Sequence, residues 1–437
     1  MRTLYTLLLY LATPLVLLRL LWKSRELPDY RRRFGERFGL VPRPAENIAV
    51  WVHAVSVGEA LAALPLIEAL IARHGERRIW VTSTTPTGSA RVVAALGDRV
   101  HHSYAPYDLP DAVARFLNRV RPDKLVVMET ELWPNLFRAC RRRGLPLTIA
   151  NARLSPRSFR GYGRVRGFAR STLRDVSCVA AQSKSDAARF RTLGAPRERL
   201  RVIGNLKFDL ALPDARIAEG RALRARFGER PVWIAASTHD GEEAAALAAH
   251  AALLELHPDA LLVLVPRHPQ RFDAVLAEVA EAGLACERRS RLLALDRSGH
   301  SPELAEVQVF LGDSMGEMFL YLAMADAAFV GGSLVPVGGH NVLEPAALAL
   351  PVLFGPHMHN FEAARALLLE RDAAVEIEDA PRLAEELAVL FARPERARTM
   401  GAAGEAAVAG NRGALKRLLA IIETQAGPGS PPASGLP

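Results

Sequence analysis

Short apolar runs alternate with longer amphipathic stretches over most of the chain. In the first half, the runs IAVWVHAV, RRIWVTST, DKLVVMET and LPLTIANA alternate with helical patterns, of which one extends from Gly58 to His74 and another begins at Gly88. In the second half, PVWIAAST, ALLVLVPRH, VQVFLGD, AAFVGGS and PVLFGPH repeat the arrangement. Such alternation is typical of βαβ units, which place their strands in parallel sheets. The sequence therefore predicts an α/β protein with two Rossmann-like sheets.

The length of 437 residues favours two domains over one. The first pattern ends near LRVIGNLKFDL, and LPDARIAEGRALRARFGERP connects it to the second. We expect an anchor over 1–22, an N-terminal domain over 23–212, a C-terminal domain over 213–424 and a disordered tail rich in Pro, Gly and Ser over 425–437. Because two Rossmann-like sheets follow each other, we expect the two domains to face a central cleft. Ligands of such sheets bind at the carboxyl ends of the strands.

The apolar segment from Leu4 to Trp22 has close to the ~20 residues that a membrane-spanning helix needs. Pro14 and Arg19 interrupt it, and no small-residue cleavage site follows, so we expect a retained membrane anchor, with an interfacial helix as the alternative. A basic cluster follows directly, which predicts that this flank and the rest of the chain lie in the cytoplasm. The cluster consists of Lys23, Arg25, Arg31, Arg32, Arg33 and Arg37.

The formal net charge of +9 favours binding to phosphate groups. The arginines are scattered and no zinc-finger or RNA-recognition motif is present, so nucleotides and anionic lipids are the expected partners and nucleic acid is not. Cys140, Cys178 and Cys286 are far apart and form no CxxC pair, which argues against a disulfide framework and a zinc site. We interpret them as core residues in a reducing compartment.

The segment FVGGSLVPVGGHNVLEPAALALPVLFGP is the most informative motif of the second half. Its two glycine pairs allow a backbone to approach a phosphate closely. Glu344 falls in the first turn of a predicted helix, where its carboxylate can accept hydrogen bonds from both hydroxyls of a ribose. Arg267 and His268 end another predicted strand, where a cation would face the same nucleotide, although a surface turn is the alternative.

A third strand of the second half leads into VFLGDSMGEM. Met315, Gly316 and Glu317 open the helix that follows, and the free backbone N–H groups of a helix start suit a phosphate or a base edge. An N-cap without a ligand is the alternative interpretation.

Carboxylates follow two predicted strands of the first half. Glu59 begins a helix, and this position favours the ionised form that a general base needs; the alternative is that Glu59 only complements the dipole of its own helix. Glu129 and Glu131 lie at the end of a hydrophobic strand, where two carboxylates one residue apart indicate a bound polar group. Lys207 ends the first domain.

Long blocks of the sequence resemble the lipid A 3-deoxy-D-manno-octulosonic acid (Kdo) transferases. They include SVGEALAALPLIEAL, TSTTPTGSARV, METELWPN, IANARLS, GNLKFD, STHDGEE, VPRHPQRF, GDSMGEM and GGSLVPVGGHNVLE, and they span nearly the whole chain. The resemblance implies the GT-B fold, CMP-Kdo as donor, a lipid A precursor as acceptor, and no metal or other cofactor in the active site.

The resemblance also implies a role for each site residue. Glu59 is the expected general base for inverting transfer to a glucosamine 6-hydroxyl, and Glu129 and Lys207 are expected to support the transition state. The expected CMP-binding residues are Arg267, His268, Met315, Gly316, Glu317, Asn341, Val342, Leu343 and Glu344. Val342 departs from members with proline there but leaves Asn341 and Glu344 in register.

The expected location is the cytoplasmic side of a bacterial inner membrane, with membrane lipids as further partners. The arginines from Arg153 to Arg174, and those from Arg31 to Arg37, are candidates for binding the acceptor's phosphates. Two alternatives stay open at this point: another GT-B nucleotide-sugar enzyme, such as a UDP-sugar transferase or a 2-epimerase, and a membrane-tethered scaffold without catalytic activity.

Overall fold

The computed structural model describes residues 1–25, 28–298 and 304–425. The chain forms two compact units, one comprising Met1–Asp209 with Asn411–Pro437 and the other Leu210–Gly410. Each unit contains a seven-stranded parallel sheet, so the predicted α/β class with two Rossmann-like sheets is confirmed.

The sheet of the first unit has the strand order β3-β2-β1-β4-β5-β6-β7. Its strands are nearly continuous apolar runs, as expected for a parallel sheet that is covered on both faces. The strands are β1 (Val50–His53), β2 (Ile79–Ser83), β3 (His101–Tyr104), β4 (Lys124–Met128), β5 (Leu147–Ala152), β6 (Cys178–Ala181) and β7 (Leu200–Val202).

Helices cover both faces of this sheet. The helices are α1 (Arg2–Lys23), α2 (Val57–His74), α3 (Pro86–Leu96), α4 (Pro110–Val120), α5 (Pro134–Arg142), α6 (Pro156–Arg164), α7 (Arg166–Leu173) and α8 (Lys184–Leu193). Side chains of β1 point alternately to the two faces: Val50 and Val52 pack with α2 and α3, whereas Trp51 packs with α4, α5, α7 and α8. Short 3₁₀ helices occupy Pro28–Arg31, Phe34–Phe38, Gly97–Arg99, Arg197–Arg199 and Leu206–Phe208.

The sheet of the second unit has the strand order β10-β11-β9-β8-β12-β13-β14. Its strands are β8 (Val232–Thr238), β9 (Leu261–Pro266), β10 (Cys286–Arg288), β11 (Val309–Leu311), β12 (Ala327–Val330), β13 (Val352–Phe354) and β14 (Ala374–Glu376). Its helices are α9 (Asp214–Ala225), α10 (Glu242–Leu254), α11 (Phe272–Glu281), α12 (Arg289–Arg297), α13 (Met318–Leu322), α14 (Leu343–Ala347), α15 (Glu362–Glu370), α16 (Ala380–Ala392) and α17 (Pro394–Gly410). A 3₁₀ helix at Pro269–Arg271 precedes α11.

The last helix, α18 (Ala414–Thr424), groups with the first unit, whereas the sequence-based division placed it in the second. Its buried residues Leu418 and Ile422 join the same hydrophobic core as α2. Lys124 also donates a hydrogen bond from Nζ to the carbonyl oxygen of Ile422 at 2.6 Å. An amphipathic pattern shows that a helix has an apolar face, but it does not show which hydrophobic core that face joins. The sequence therefore could not assign α18 to the first unit.

The C-terminal end of the described chain is Gln425, which accepts a hydrogen bond from Thr148 at 2.7 Å. Residues 426–437, which make up the rest of the predicted tail, lie outside the described residues. Cys140 and Cys178 are buried as predicted, and Cys286 is partly exposed; all three are free thiols.

Helix α1 is long and apolar enough to cross a membrane, judged by length and composition alone. Its first three turns contact the first unit through one polar stripe. Arg2 pairs with Asp175 at 3.0 Å, and Tyr5, Thr6 and Tyr10 hydrogen-bond to side chains of the unit. Leu11, Leu15 and Leu18 lie beyond these contacts and are 66%, 68% and 62% exposed. The helix is therefore attached by its amino-terminal part, and much of its apolar surface is uncovered.

The basic cluster after α1 is not uniform. Arg37 is buried, stacks on the ring of Tyr104 at 4.1 Å and donates a hydrogen bond to the carbonyl oxygen of Thr84 at 3.0 Å. Arg33 stacks on the same ring at 4.5 Å. In contrast, the side chain of Arg32 is 76% exposed. Arg37 is therefore held within the fold, with Nε and Nη2 buried and without a hydrogen-bond partner among the described residues, and the hypothesis that it binds an acceptor phosphate stays a prediction.

Candidate active site

The candidate catalytic acids lie at the switch point of the first sheet. The chain places β2 and β3 on one side of β1 and β4 on the other, so a crevice opens where the carboxyl ends of β1 and β4 are neighbours. Glu59 follows β1 and Glu129 directly follows β4. The topology thus brings together two acids that are 70 residues apart in sequence.

Glu59 forms a reciprocal cap at the start of α2. Ser56 Oγ accepts a hydrogen bond from the backbone N–H of Glu59 at 3.2 Å. In return, the Glu59 carboxylate accepts hydrogen bonds from Val55 N at 2.8 Å and from Ser56 Oγ at 3.0 Å. This is a variant of the capping box, with glutamate at the third helical position and the backbone N–H of Val55, one residue before the N-cap, as the donor. The structural role considered for Glu59 is therefore real, and it fixes the position of the carboxylate.

The protonation of Glu59 differs from the expectation for a helix start. Burial raises its pKa to about 7, and the negative charges of Glu131 and Glu129 act in the same direction. The hydrogen bonds from Val55 and Ser56 oppose this shift without cancelling it. The position at the helix start favours the ionised form, as expected, but burial has the larger effect and the pKa is raised overall. A carboxyl group that titrates near neutrality is suited to act as a general base.

Glu129 and Lys207 belong to the same electrostatic cluster. Glu129 has a left-handed backbone, with φ of 56°, which is uncommon for a residue other than glycine and turns the chain sharply at the end of β4. Burial lowers the pKa of Lys207, the positive charge of Arg153 lowers it further, and the negative charge of Glu129 opposes both. The structure therefore couples the two residues that the sequence grouped as transition-state supports.

The loop that carries Lys207 is held by asparagine side chains that sequence reasoning did not single out. Asn151 is buried at the end of β5, has φ of 53°, and accepts a hydrogen bond from Leu206 N at 3.1 Å. Asn205 accepts a hydrogen bond from Lys207 N at 3.0 Å. Asn151 belongs to the block IANARLS, which was identified from the sequence. The role of Asn151 could not be predicted there because it depends on a contact with Leu206, 55 residues away in sequence.

A buried histidine also lies at this edge. His53 ends β1, has no exposed surface, and shares a hydrogen bond with Thr82 Oγ1 at 2.9 Å through Nδ1. Burial lowers its pKa to about 4, so the ring is neutral near pH 7. Its ring meets that of Trp133 edge-on at 4.8 Å. This histidine supports the floor of the crevice, and the sequence alone did not identify it.

The switch point of the second sheet lies between β8 and β12. The neighbouring strands β11, β9, β8 and β12 end, in that order, beside the predicted nucleotide-binding segments. Met315 follows β11, Arg267 follows β9, and the glycine-rich loop follows β12. The topology thus assembles at one edge three segments that the sequence had identified separately.

A buried carboxylate organises the glycine-rich loop. Glu242, at the first position of α10, is fully buried and accepts hydrogen bonds from four backbone N–H groups. The donors are His239, Gly332, Ser333 and Leu334, at 2.6–3.0 Å. Hydrogen bonds to a charged acceptor are about twice as strong as neutral ones. Glu242 therefore fixes the backbone of the loop, a role that sequence reasoning missed although STHDGEE contains it.

Glycine is required within this loop by close approach. A Cβ atom on Gly331 would lie 2.7 Å from the carbonyl oxygen of Ser237, which is backbone and cannot move aside. Gly339 has φ of 77°, and a Cβ there would lie 2.2 Å from Met358 Sδ. Gly331 thus permits close backbone packing, and Gly339 permits a positive φ beside the Met358 side chain, in addition to any approach to a phosphate.

Three histidines and Arg267 lie beside the loop. The rings of His239 and His340 are nearly parallel, with centroids 5.0 Å apart, and share an Nε2–Nε2 hydrogen bond of 2.8 Å, and His268 meets His239 edge-on at 5.1 Å. Burial lowers the pKa of His340 to about 4, with the charge of Arg267 acting in the same direction. The paired imidazoles are therefore neutral near pH 7.

Glu344 lies in the first turn of α14, as predicted. Burial raises its pKa, while the hydrogen bond from Asn341 Nδ2 at 3.0 Å and the charge of Arg267 oppose that shift. Val342 and Leu343 are fully buried, so their side chains belong to the core of the second unit. Asn341 and Glu344 are the groups of this segment whose side chains can act on a ligand directly.

Glu317 is held by arginines. It accepts hydrogen bonds from Arg289 at 3.2 and 3.3 Å, from Arg216 at 3.4 Å and from Ser314. Burial raises the pKa of Glu317, but these partners outweigh it, and the pKa lies below its ordinary value. Its carboxylate shapes the loop, whereas Met315 is 54% exposed and Gly316 has φ of 81°. The exposed part of this segment is its backbone and Met315.

Comparison with known proteins places the chain in a family. A 3-deoxy-D-manno-octulosonic acid transferase from Haemophilus influenzae is 41% identical over 97% of this chain and 98% of its own length. A second, from Bordetella pertussis, is 40% identical over 90% of each chain. The chain belongs to the Kdo transferase family. A family model for 3-deoxy-D-manno-octulosonic-acid transferases (kdotransferases) matches residues 32–210.

The fold of this Kdo transferase also resembles that of other nucleotide-sugar enzymes. A UDP-GlcNAc 2-epimerase from Neisseria meningitidis superimposes with a TM-score of 0.54 at 15% identity, covering 86% of this chain and all of that one. At that identity the likeness shows the fold alone. The GT-B class predicted from the sequence is confirmed, as is membership of a glycosyltransferase family.

The roles of the individual site residues in this Kdo transferase stay predictions, as does the arrangement of its two units around a cleft. Within residues 1–25, 28–298 and 304–425, no group of three or more His, Cys, Asp and Glu side chains has a geometry that could hold a metal ion. The expectation of a reaction without a metal or other cofactor likewise stays a prediction.

Proposed function

We propose that this Kdo transferase moves Kdo from CMP-Kdo to the glucosamine 6-hydroxyl of a lipid A precursor. The observation that carries the proposal is the carboxyl group of Glu59, fixed at a sheet switch point with a pKa raised to about 7. A base with that pKa is ionised in about half of the molecules at neutral pH and is a strong enough acceptor to assist an attacking hydroxyl.

In the proposed reaction, Glu59 takes the proton of the acceptor hydroxyl while the oxygen of that hydroxyl attacks the anomeric carbon of Kdo. The bond between that carbon and the phosphate oxygen of CMP breaks, and CMP leaves with the electron pair, so the configuration inverts. A phosphate leaving group is weakly basic, so no general acid is required. Lys207 stabilises the developing charge, which is the usual role of a preorganised cation. Glu129 orients Lys207 or offsets positive charge on the sugar.

The donor nucleotide is proposed to bind at the switch point of the second sheet. Glu344 accepts hydrogen bonds from the ribose hydroxyls, and Asn341 holds that carboxylate in place. Arg267 and His268 supply positive charge and hydrogen-bond donors for the phosphate, and the backbone of residues 315–317 contacts the base or phosphate. The loop fixed by Glu242 supports this proposal because its geometry is set before any ligand arrives.

The acceptor carries phosphates, and arginines near the carboxyl edge of the first sheet are proposed to bind them. Arg153 directly follows β5, and Arg157, Arg160 and Arg164 lie on α6. Arginine suits this task because its planar guanidinium can form two parallel hydrogen bonds with a phosphate.

The chain is proposed to act at the cytoplasmic face of a bacterial inner membrane, held there by α1. Arg2, Tyr5, Thr6 and Tyr10 bind side chains of the first unit, which supports a proposed arrangement with the amino end of the helix on the same side of the membrane as that unit. These contacts favour a helix that lies in one leaflet, which was the alternative to a spanning anchor.

Transfer is tested by incubating the purified full-length chain with CMP-Kdo, generated in place, and a lipid A precursor. Mass spectrometry of the lipid should then show the addition of Kdo. Failure of the wild-type chain to modify the lipid, with CMP binding intact, would contradict the proposal. Transfer from a UDP-sugar, or release of an epimerised sugar, would favour the other nucleotide-sugar enzymes.

A further inference from the structure

A surface cavity of the first unit is lined mainly by arginines. It has a volume of about 1010 Å³ and lies between the ends of α5 and α8, the length of α7 and the loop that leads to β7. Glu198 is its single acidic lining residue among the described parts of the chain. The arginines are Arg141, Arg166, Arg170, Arg174, Arg191 and Arg199.

The cavity is remote from the candidate catalytic acids. Arg174 precedes β6, Arg191 and Arg199 flank the turn before β7, and Arg141 precedes β5, so the cavity lies at the amino ends of the strands. Glu59 and Glu129 follow the carboxyl ends of strands in the same parallel sheet. Strands of three to six residues, at about 3.3 Å per residue, separate the two edges by about 10–20 Å.

The fold fixes part of this cavity. Arg199 Nη1 donates hydrogen bonds to the carbonyl oxygens of Arg174 and Val176, each at 2.9 Å. Arg141 Nη1 donates a hydrogen bond to the same carbonyl oxygen of Arg174 at 2.7 Å. The side-chain stem of Arg170 packs on Gly194 so closely that a Cβ there would lie 2.4 Å from Arg170 Cγ. Glycine at position 194 therefore permits an arginine at this wall.

Four guanidinium groups of the cavity have no protein partner. In the described part of the chain, the side chains of Arg166, Arg170, Arg174 and Arg191 make no ion pair or hydrogen bond. Positive charges that line one cavity repel each other and concentrate anions there. The cavity therefore has the charge and the free donors to bind a phosphate group.

The cavity also adjoins the apolar helix. The carboxylate of Asp175, only 2% exposed, pairs with Arg2 of α1 at 3.0 Å and with Arg141 of the cavity wall at 3.4 Å. Tyr5 of α1 contacts Phe168 of α7 with 5.3 Å between ring centroids. Leu4 and Leu8, on the same part of α1, are 59% and 55% exposed. Apolar side chains beside unpaired arginines are the arrangement that meets acyl chains and headgroups together.

We propose that this cavity binds the phosphate headgroup of an anionic membrane lipid and so orients the first unit on the membrane. The proposal rests on the membrane attachment through α1 proposed above. It separates two groups within the arginine series of the sequence: Arg153 to Arg164 remain with the acceptor, whereas Arg166 to Arg174 contact bulk lipid.

The test compares a cavity variant with a matched control in the full-length chain. The cavity variant is Arg166→Glu with Arg170→Glu. The control, Arg412→Glu with Lys416→Glu, makes the same change of net charge at exposed positions in and beside α18, which packs with α2 on the other face of the sheet. Binding is measured by flotation with phosphatidylcholine vesicles, with and without phosphatidylglycerol.

We expect all three proteins to bind neutral vesicles alike through α1, and phosphatidylglycerol to strengthen binding of the wild type and the control. The cavity variant should lose about tenfold or more of that gain, because each charge near an anionic surface contributes about 1 kcal/mol. Arg166→Lys with Arg170→Lys should retain most of the gain. The cavity variant should also transfer Kdo to a detergent-dispersed acceptor at the wild-type rate.

Three outcomes would overturn the proposal. One is a cavity variant with the full response to phosphatidylglycerol; another is a raised KM for the detergent-dispersed acceptor, which would assign the cavity to acceptor phosphates. The third is saturable binding of inorganic phosphate to the lipid-free chain that the cavity variant loses, which would make free phosphate the ligand. Lack of Kdo transfer by the wild type would contradict the proposed function and leave the vesicle result interpretable.

Discussion

The two sheets carry their candidate sites at equivalent switch points, but they build them from different material. In the first unit, ionisable side chains gather in a partly buried crevice, and the pKa of Glu59 is raised to about 7. In the second unit, a buried carboxylate, Glu242, fixes a glycine-rich backbone through four N–H groups. The first arrangement prepares a group to exchange a proton, and the second prepares a rigid surface to bind a ligand. This difference predicts that substitutions in the first site mainly reduce turnover, whereas substitutions in the second mainly weaken donor binding.

The largest effect is expected from Glu59→Gln. The substitution keeps a residue that can complete the capping box but removes the proton acceptor, so turnover should fall by about 10²–10⁴-fold with little loss of stability. Steady-state rates and thermal unfolding measure the two quantities. Glu68→Gln, on the same helix and 46% exposed, is the control and should keep full turnover. Equal turnover by Glu59→Gln and the wild type would remove Glu59 from the mechanism.

A smaller effect, on the other side of the comparison, is expected from Glu344→Gln. The loss of a charged acceptor for the ribose should raise the KM for CMP-Kdo by about 10- to 100-fold, since such a hydrogen bond contributes about 1.5–3 kcal/mol. The turnover number at saturating donor should change far less. Glu370→Gln, an exposed position at the end of α15, is the control. A loss confined to the turnover number would assign Glu344 to chemistry.

The backbone character of the second site is tested by Gly339→Ala, with Gly283→Ala as its control. Both glycines have positive φ, so each alanine costs about 1–2 kcal/mol in backbone strain. Only at position 339 would the new Cβ meet neighbouring atoms, chiefly the end of the Met358 side chain, and displacing that buried side chain adds a cost of up to about 1–3 kcal/mol. Thermal unfolding should therefore show a lower melting temperature for Gly339→Ala than for Gly283→Ala. Equal melting temperatures would show that the loop tolerates expansion.

The smallest effect concerns pH. Because the base must be ionised, kcat/KM should fall as pH drops below about 7, the pKa of Glu59. The negative charge of Glu131 raises that pKa, so Glu131→Gln should move the acidic limb to lower pH by less than about one unit. Rate profiles of the two proteins measure the shift. A shift towards higher pH would mean that Glu131 acts on Glu59 in another way.

The sequence predicted well whatever depends on local pattern. The alternation of apolar runs gave both sheets, and α2, expected over residues 58–74, begins one residue earlier because Ser56 supplies the cap. The same pattern predicted that Glu129 and Arg267 directly follow strands, and that Glu59 and Glu344 lie in the first turns of helices that come after strands.

Features that depend on distant contacts were missed or misjudged. The burial of Glu59 depends on how its neighbours pack, so the sign of its pKa shift could not be read from its place at a helix start. Glu242 and Asn151 bind segments that are 90 and 55 residues away in sequence. Helix α18 joins the core of the first unit although the sequence of the whole second unit precedes it. Arg37 was indistinguishable by charge from exposed arginines until its contact with Tyr104 was seen.

The division of labour between the two sites is tested most directly by equilibrium titration of CMP against the full-length chain, compared between Glu59→Gln and Glu344→Gln. We expect Glu59→Gln to bind CMP within about twofold of the wild type, as for a change away from the binding site, and Glu344→Gln to bind it about tenfold or more weakly. Weakened CMP binding by Glu59→Gln together with unchanged binding by Glu344→Gln would contradict this division of labour.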